Sequence, residues 1–273
     1  MFAFNQISFA QCDLKCYSKK KFVNENKEIK LEKLAESNYS VSLFQTALAF
    51  DVDNDGLTEI ITSSTIPNQN TNNFANDILI IDSKSTILKH SFSTAYYFAA
   101  VTSSILLADI NYDCIPEIII AALDDNINEV KFRGKVVCYD INGNVLWISN
   151  KDYGTALTTF RQGGTIAITD FNRDGIPEVY IYNEIFNAQT GIKLCTGGNF
   201  GVGLGNSATG RFANSLAINV DDDPNDLELI AGYTVYKIQI NNLSGETGKQ
   251  IVKSETKLEL RTHSKTFKRL ADM

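Results

Sequence analysis

This 273-residue sequence specifies an all-β chain, a β-propeller with about four to five four-stranded blades. Three observations lead there. An aspartate-rich segment recurs along the chain at intervals of roughly 60 residues. Each copy lies between two short apolar runs rich in Ile, Val, Leu and Tyr, which is strand rather than helix chemistry. No long amphipathic helical stretch interrupts the series; residues 20–34 are charged but alternate too poorly to be assigned.

The first copy is Asp51-Val52-Asp53-Asn54-Asp55-Gly56-Leu57-Thr58-Glu59. The second is Asp109-Ile110-Asn111-Tyr112-Asp113-Cys114-Ile115-Pro116-Glu117, and the third is Asp170-Phe171-Asn172-Arg173-Asp174-Gly175-Ile176-Pro177-Glu178. All three read D-x-[DN]-x-D-x-x-x-E. A fourth, Asn219-Val220-Asp221-Asp222-Asp223-Pro224-Asn225-Asp226-Leu227-Glu228, is looser. Counted back from Glu228, its first position falls on Val220, which cannot ligate. Counted forward from Asn219, one residue too many precedes Glu228.

Strands are expected before the copies at 46–50, 105–108, 165–169 and 215–218, and after them at 60–62, 118–122, 179–182 and 229–231. Unbroken apolar runs of this kind suit strands covered on both faces. Further strands are expected at 77–82, 135–140 and 145–148. Asn142-Gly143 is a type I′ hairpin signal joining the last two, and residues 82–85 and 188–191 occupy the equivalent place in neighbouring repeats. Each repeat thus holds about four strands, the content of a propeller blade.

The formal net charge is −7, which argues against nucleic acid or an anionic membrane as main partner, since both need a basic face. Nearly half of the 32 acidic side chains lie in the four segments. Carboxylates packed this closely repel each other, and a divalent cation neutralises them. The five cysteines, Cys12, Cys16, Cys114, Cys138 and Cys195, are odd in number and widely spaced, which is no disulfide framework. Only two histidines occur, His90 and His263, which weakens any His-based metal site or Ser-His-Asp triad. No run of 18 apolar residues is present, so no membrane insertion is expected. Residues 1–11 read as the end of a secretory signal whose start is missing, with Ser8-Phe9-Ala10 as the small-x-small site; the alternative is an ordinary apolar first strand. Blades are expected over 12–248, with 249–273 a charged tail or incomplete blade.

Calcium takes six to eight hard oxygen ligands. Carboxylates at alternate positions of a tight loop converge. Positions 1, 3 and 5 would supply side-chain oxygens, position 7 a backbone carbonyl and position 9 a carboxylate. These are Asp51, Asp53, Asp55, Leu57 and Glu59 in loop one. They are Asp109, Asn111, Asp113, Ile115 and Glu117 in loop two, and Asp170, Asn172, Asp174, Ile176 and Glu178 in loop three. Weaker candidates in loop four are Asn219, Asp221, Asp223 and Glu228. Gly56 and Gly175 at position 6 permit the positive φ that the turn requires, whereas Cys114 there costs about 1 kcal/mol or more. Zinc is disfavoured because no His or Cys joins the carboxylates, and magnesium prefers a stricter octahedron. Without metal, the same pattern would serve as an acidic Asx turn between strands.

These loops resemble FG-GAP/VCBS repeats, as in the propeller of integrin α-subunits and in many secreted bacterial proteins. The resemblance covers roughly residues 40–240. It implies a propeller in which each calcium loop joins the first two strands of a blade, with metal on one face and ligand recognition commonly on the other. The family's Phe-Gly and Gly-Ala-Pro signatures are poorly kept, placing the chain nearer the bacterial repeats than the integrins. The family often has seven blades. This chain is therefore a small propeller, a fragment of a larger one, or an arc finished by another chain.

The function so implied is a secreted or cell-surface, calcium-binding, non-catalytic recognition or adhesion module for an extracellular protein or glycan. The alternative is a secreted polysaccharide lyase or hydrolase on a calcium-stabilised propeller, with a carboxylate or an arginine, Arg161 or Arg211, in a central opening. Nothing marks a catalytic acid and base outside the loops. Gly203-Leu204-Gly205-Asn206-Ser207-Ala208 matches G-x-G-x-x-A formally, but neither a preceding strand nor a following helix supports nucleotide binding. Trp147 reads as blade packing before sugar stacking, and Tyr96, Tyr97 and Phe98 fit a strand core as well as a carbohydrate site.

Overall fold

The computed structural model describes residues 33, 36, 38, 39, 41, 47–64, 74–99, 105–122, 134–153, 165–196, 215–221, 223–231, 234–241 and 249–255. The expectations for residues 1–11, Cys12, Cys16, Arg161, Arg211 and 197–210 lie outside them, as do the side chains of Tyr96, Tyr97 and Phe98.

Sixteen strands form, and no helix, among the described residues. The first four are β1 (Leu48–Phe50), β2 (Glu59–Ser63), β3 (Phe74–Asp82) and β4 (Leu88–Ala99). The second four are β5 (Ile105–Ala108), β6 (Glu117–Ala121), β7 (Val136–Tyr139) and β8 (Val145–Ile148). The third four are β9 (Ile166–Thr169), β10 (Glu178–Ile181), β11 (Glu184–Asn187) and β12 (Lys193–Thr196). The last are β13 (Ser215–Ile218), β14 (Glu228–Ala231), β15 (Thr234–Gln239) and β16 (Lys249–Glu255). Each set of four pairs in chain order into one antiparallel meander, giving four separate four-stranded sheets. β16 begins where the sequence placed the charged tail, so the fourth blade takes in its first residues.

The unbroken apolar strands are explained by what lies on either side of them. Successive residues of a strand point to opposite faces. In β6, Ile118 and Ile120 join Ile61, Ile78 and Ile80 of sheet one in one core cluster. Its alternate residues, Ile119 and Ala121, join Val179, Ile181 and Phe186 of sheet three in a second. β10 repeats the arrangement: Tyr180 turns the other way and packs with Leu229, Ala231 and Tyr236 of sheet four. Consecutive sheets are thus stacked face to face as blades, with a hydrophobic layer in each gap. The innermost strands β1, β5 and β9 lie beside one another.

The two end faces differ. On sheet one, Leu79 and Ile81 point away from sheet two yet are 8% and 4% exposed. Residues near the amino end dock at that sheet's outer turn: the Leu88 N–H donates to the Tyr39 hydroxyl and the Thr86 hydroxyl to the Glu36 carbonyl. On sheet four, Leu216 and Ile218 point away from sheet three and are 54% and 44% exposed.

The turn between the third and fourth strands of a blade differs from the expected type I′ hairpin. Gly143 has φ +89°, but Asn142 is not in the positive-φ region. The Gly143 N–H bonds the Asp140 carbonyl, and the Asp140 N–H bonds the Asn144 carbonyl. That is a three-residue connection with glycine at its left-handed position. The Asp140 side chain caps it, accepting the N–H groups of Asn142 and Asn144 at 2.9 and 2.8 Å. Asp82 and Asn187 cap the equivalent turns, accepting from Ser85 and from Gln189 and Thr190. Trp147 packs in the layer between sheets two and three, hard against Gly191.

Candidate metal centre

Loops one to three share one hydrogen-bond scaffold. The position-1 aspartate accepts two backbone N–H groups with its two oxygens. In loop one Asp51 accepts from Asp55 (3.1 Å) and Gly56 (2.9 Å). In loop two Asp109 accepts from Asp113 (3.1 Å) and Cys114 (2.9 Å). In loop three Asp170 accepts from Asp174 (3.1 Å) and Gly175 (2.9 Å). The position-5 aspartate then accepts the position-7 N–H, from Leu57, Ile115 and Ile176 at 2.7, 2.8 and 2.8 Å.

The position-9 glutamate closes the loop from the blade side. It is the first residue of the second strand and is buried, at 0%, 4% and 0% exposure for Glu59, Glu117 and Glu178. One oxygen accepts the position-2 N–H, from Val52, Ile110 and Phe171 at 3.0, 2.9 and 2.8 Å. The position-2 side chains are themselves core residues, so the loop is pinned by an apolar plug on one side and a charged hydrogen bond on the other.

Two residues per loop adopt positive φ. Position 6 does so as expected: Gly56 +84°, Cys114 +72° and Gly175 +88°. Position 4 does so as well: Asn54 +58°, Tyr112 +64° and Arg173 +55°. The sequence did not signal the second, because Asn, Tyr and Arg share no turn preference. Cys114 is disulfide-bonded, whereas Cys138 and Cys195 are buried thiols.

Ligand-bearing oxygens converge. Asp51, Asp53 and Glu59 each offer an oxygen within 4.8 Å of the others, as do Asp170, Asp174 and Glu178. In loop two Asn111 donates its amide to Asp113 (3.0 Å) and Glu117 (2.7 Å). In loop three Asn172 donates to Asp174 at 3.0 Å. Burial pushes the Glu117 carboxyl above the usual carboxylate range against the pull of the Ile110 N–H, and Asp113 and Asp109 push it the same way. In loop one Lys89 reaches in from β4 and contacts Asp53 (2.8 Å), Asp55 (3.3 Å) and Glu59 (2.7 Å). Its hydrogen bond is the main reason the Asp53 carboxyl lies below its ordinary value.

Loop four resolves its two possible alignments. Val220 N–H donates to Glu228 at 3.0 Å, as Val52 does to Glu59, so Asn219 holds position 1 and the loop carries one extra residue. Asn219 and Asp223 are occupied within the loop: the Asn219 amide donates to the Asp223 carbonyl, and Asp223 accepts the Asn225 N–H. The converging carboxylates are Asp221, Asp226 and Glu228. Asp226 was missed in the sequence because it falls outside the alternating spacing. One of its oxygens is buried without a hydrogen-bond partner, while the other meets Lys237 at 2.8 Å.

The loops lie at one end of the blades, and loops two, three and four touch in turn. The Tyr112 hydroxyl of loop two donates to the Gly175 carbonyl of loop three. The Leu227 N–H of loop four donates to the Phe171 carbonyl of loop three at 2.9 Å. Such donor sets, all oxygen and mostly carboxylate, suit a hard divalent cation.

No family model matches the chain, and no curated protein matches it. Among solved structures it is similar to the V. cholerae biofilm matrix protein Bap1, at a TM-score of 0.48 and 18% identity over 73% of this chain and 31% of that one. The chain spans about a third of that protein's length, and a likeness at this level carries no argument about function. Among the described residues no helix is long and apolar enough to cross a membrane.

Proposed function

We propose that this chain is an extracellular calcium-binding β-propeller repeat protein of the FG-GAP/VCBS type, serving as a non-catalytic recognition or adhesion module for a protein or glycan. The observation that carries the proposal is the shared scaffold of loops one to three. Three segments of different sequence fold to the same hydrogen-bond pattern around a buried glutamate, and in loops one and three its carboxylate converges with two aspartates. A cluster of this kind is costly without a cation, because burying a carboxylate among like charges raises its free energy. Metal bound there would tie the first two strands of each blade together and stiffen the loop-bearing end of the molecule. The disulfide at Cys114 supports an oxidising compartment, where such bonds persist.

Thermal unfolding in calcium and in chelator, followed by calorimetric titration, tests the reading. An ion that binds only the folded chain stabilises it by about 2.7 kcal/mol per site at a hundred times its dissociation constant. The expected affinity is that of extracellular modules, about 10⁻⁴–10⁻³ M. No shift in the midpoint and no heat of binding would reduce the loops to acidic turns. Binding to glycan and matrix-protein arrays in calcium then tests recognition, and silence on both would count against an adhesion role.

A further inference from the structure

We propose that Lys89 is a tethered cation built into loop one, which calcium must displace, so that loop one is the most weakly calcium-dependent of the three regular loops. This rests on the calcium reading above. The Lys89 ammonium contacts the side chains of positions 3, 5 and 9 together, through Asp53, Asp55 and Glu59. An ammonium has three donors, and three carboxylates receive them. Those are three of the four side chains expected to ligate the ion, so ammonium and metal cannot both hold them.

The position of Lys89 is a constructed one. Between β3 and β4 the register runs from Ile80 opposite His90 to Ile81 opposite Leu88, leaving Lys89 as the extra residue of a β-bulge. A bulge re-aims the side chain it carries. The same bulge recurs one residue before the capping Asp or Asn in the next two blades. There Cys138 faces Trp147 and Tyr139 faces Val145, and Ile185 faces Cys195 and Phe186 faces Lys193. The extra residues are Leu146 and Leu194, side chains that carry no charge. The device is therefore repeated, and of these three blades only the first carries a lysine at it. Loop four meets a lysine from a different strand: Lys237 on β15 lies 2.8 Å from Asp226 and 3.8 Å from Asp223.

The balance of charge explains why such a lysine changes the demand for metal without abolishing the site. Loop one carries four acids, and one ammonium leaves most of that charge in place. Calcium at high concentration can still enter by pushing a flexible, 28%-exposed side chain into solvent. The tethered cation then acts as a threshold, holding the loop folded at low calcium and giving way at high calcium.

The test is calorimetric titration of the full chain with calcium, in wild type and in Lys89→Met. The proposal expects one site in the variant to tighten by about tenfold or more. In chelator the variant should melt at a lower temperature than wild type, and calcium should close the gap. Lys89→Arg, which keeps the charge, should behave nearer wild type than Lys89→Met does. Unchanged titration in Lys89→Met, with wild type still binding calcium, overturns the proposal and leaves the calcium reading intact. No binding in either protein overturns both. A measurement on wild type alone covers the case in which Lys89→Met fails to fold. Acetylation of Lys89, followed by mass spectrometry, should be slow at low calcium and rise only at calcium well above that which completes the tighter binding steps. Labelling of Lys89 that is already fast in chelator would sink the proposal.

Discussion

At the scale of single residues, the loops separate backbone cost from packing cost. A Cβ at Gly175 or at Gly56 would meet nothing within 4 Å, yet both residues have φ above +80°. Gly175→Ala therefore measures conformation alone, and we expect a loss of about 1–2 kcal/mol in denaturant unfolding. Gly191→Ala should cost more, because its Cβ would fall 2.4 Å from the Trp147 ring as well as needing φ +69°. Equal losses at the two positions would mean that Trp147 moves aside freely. Glu178→Gln keeps the shape but removes the charge from a buried acceptor. It should cost about 1–3 kcal/mol and remove one calcium from the titration. The position-1, -5 and -9 acids were legible in the sequence because their partners lie within the same nine residues. Lys89 was not, since it comes from a strand more than thirty residues on.

At the scale of the element, the capped turns make a pH prediction. Burial works to raise the Asp140 carboxyl, but the Asn144 side chain and the N–H groups of Asn144, Asn142 and Gly143 outweigh it and hold the pKa below 3.8. A depressed folded pKa contributes stability that is present above the unfolded value and is lost as pH falls through the folded one. Asp140→Asn should thus lower stability at neutral pH, by no more than about 1 kcal/mol because the group is largely solvated. The difference should vanish in acid, at pH well below 3.8; a gap that persists there would assign the effect to shape rather than charge. The strands that flank the loops were readable to within a residue or two, as at β5 and β13, whereas β4, β11, β12, β15 and β16 were given no bounds. The turn type was not. Asn-Gly signals a two-residue hairpin only if the strands pair right up to it, and the aspartate cap together with the bulge beside it opened the connection by one residue.

At the scale of the molecule, burial on sheet four depends on which face a side chain takes. Leu229 points into the layer shared with sheet three and is 0% exposed, whereas Leu216 points away from it. Leu229→Ala should cost about 2–5 kcal/mol, and Leu216→Lys should stay within about 0.5 kcal/mol. A large loss from Leu216→Lys in chemical denaturation would mean that this face is covered in solution. The blade architecture was legible because four repeats each brought their own strand set. Which way each apolar side chain faces was not, since a run such as Glu117-Ile118-Ile119-Ile120-Ala121 is apolar on both sides and its alternation is silent.

Every described sheet is a meander of four consecutive strands, and none borrows a strand from the far end of the chain. Chain synthesis proceeds from the amino end, so each blade has all its strands to hand before the next is made. Loop-closure entropy within a blade is small, and contacts of short sequence separation form quickly. The first hydrophobic layer can close as soon as β7 is available to pack against β2 and β3. A protein arranged this way can fold in the order in which it is delivered, one blade providing the surface on which its successor settles.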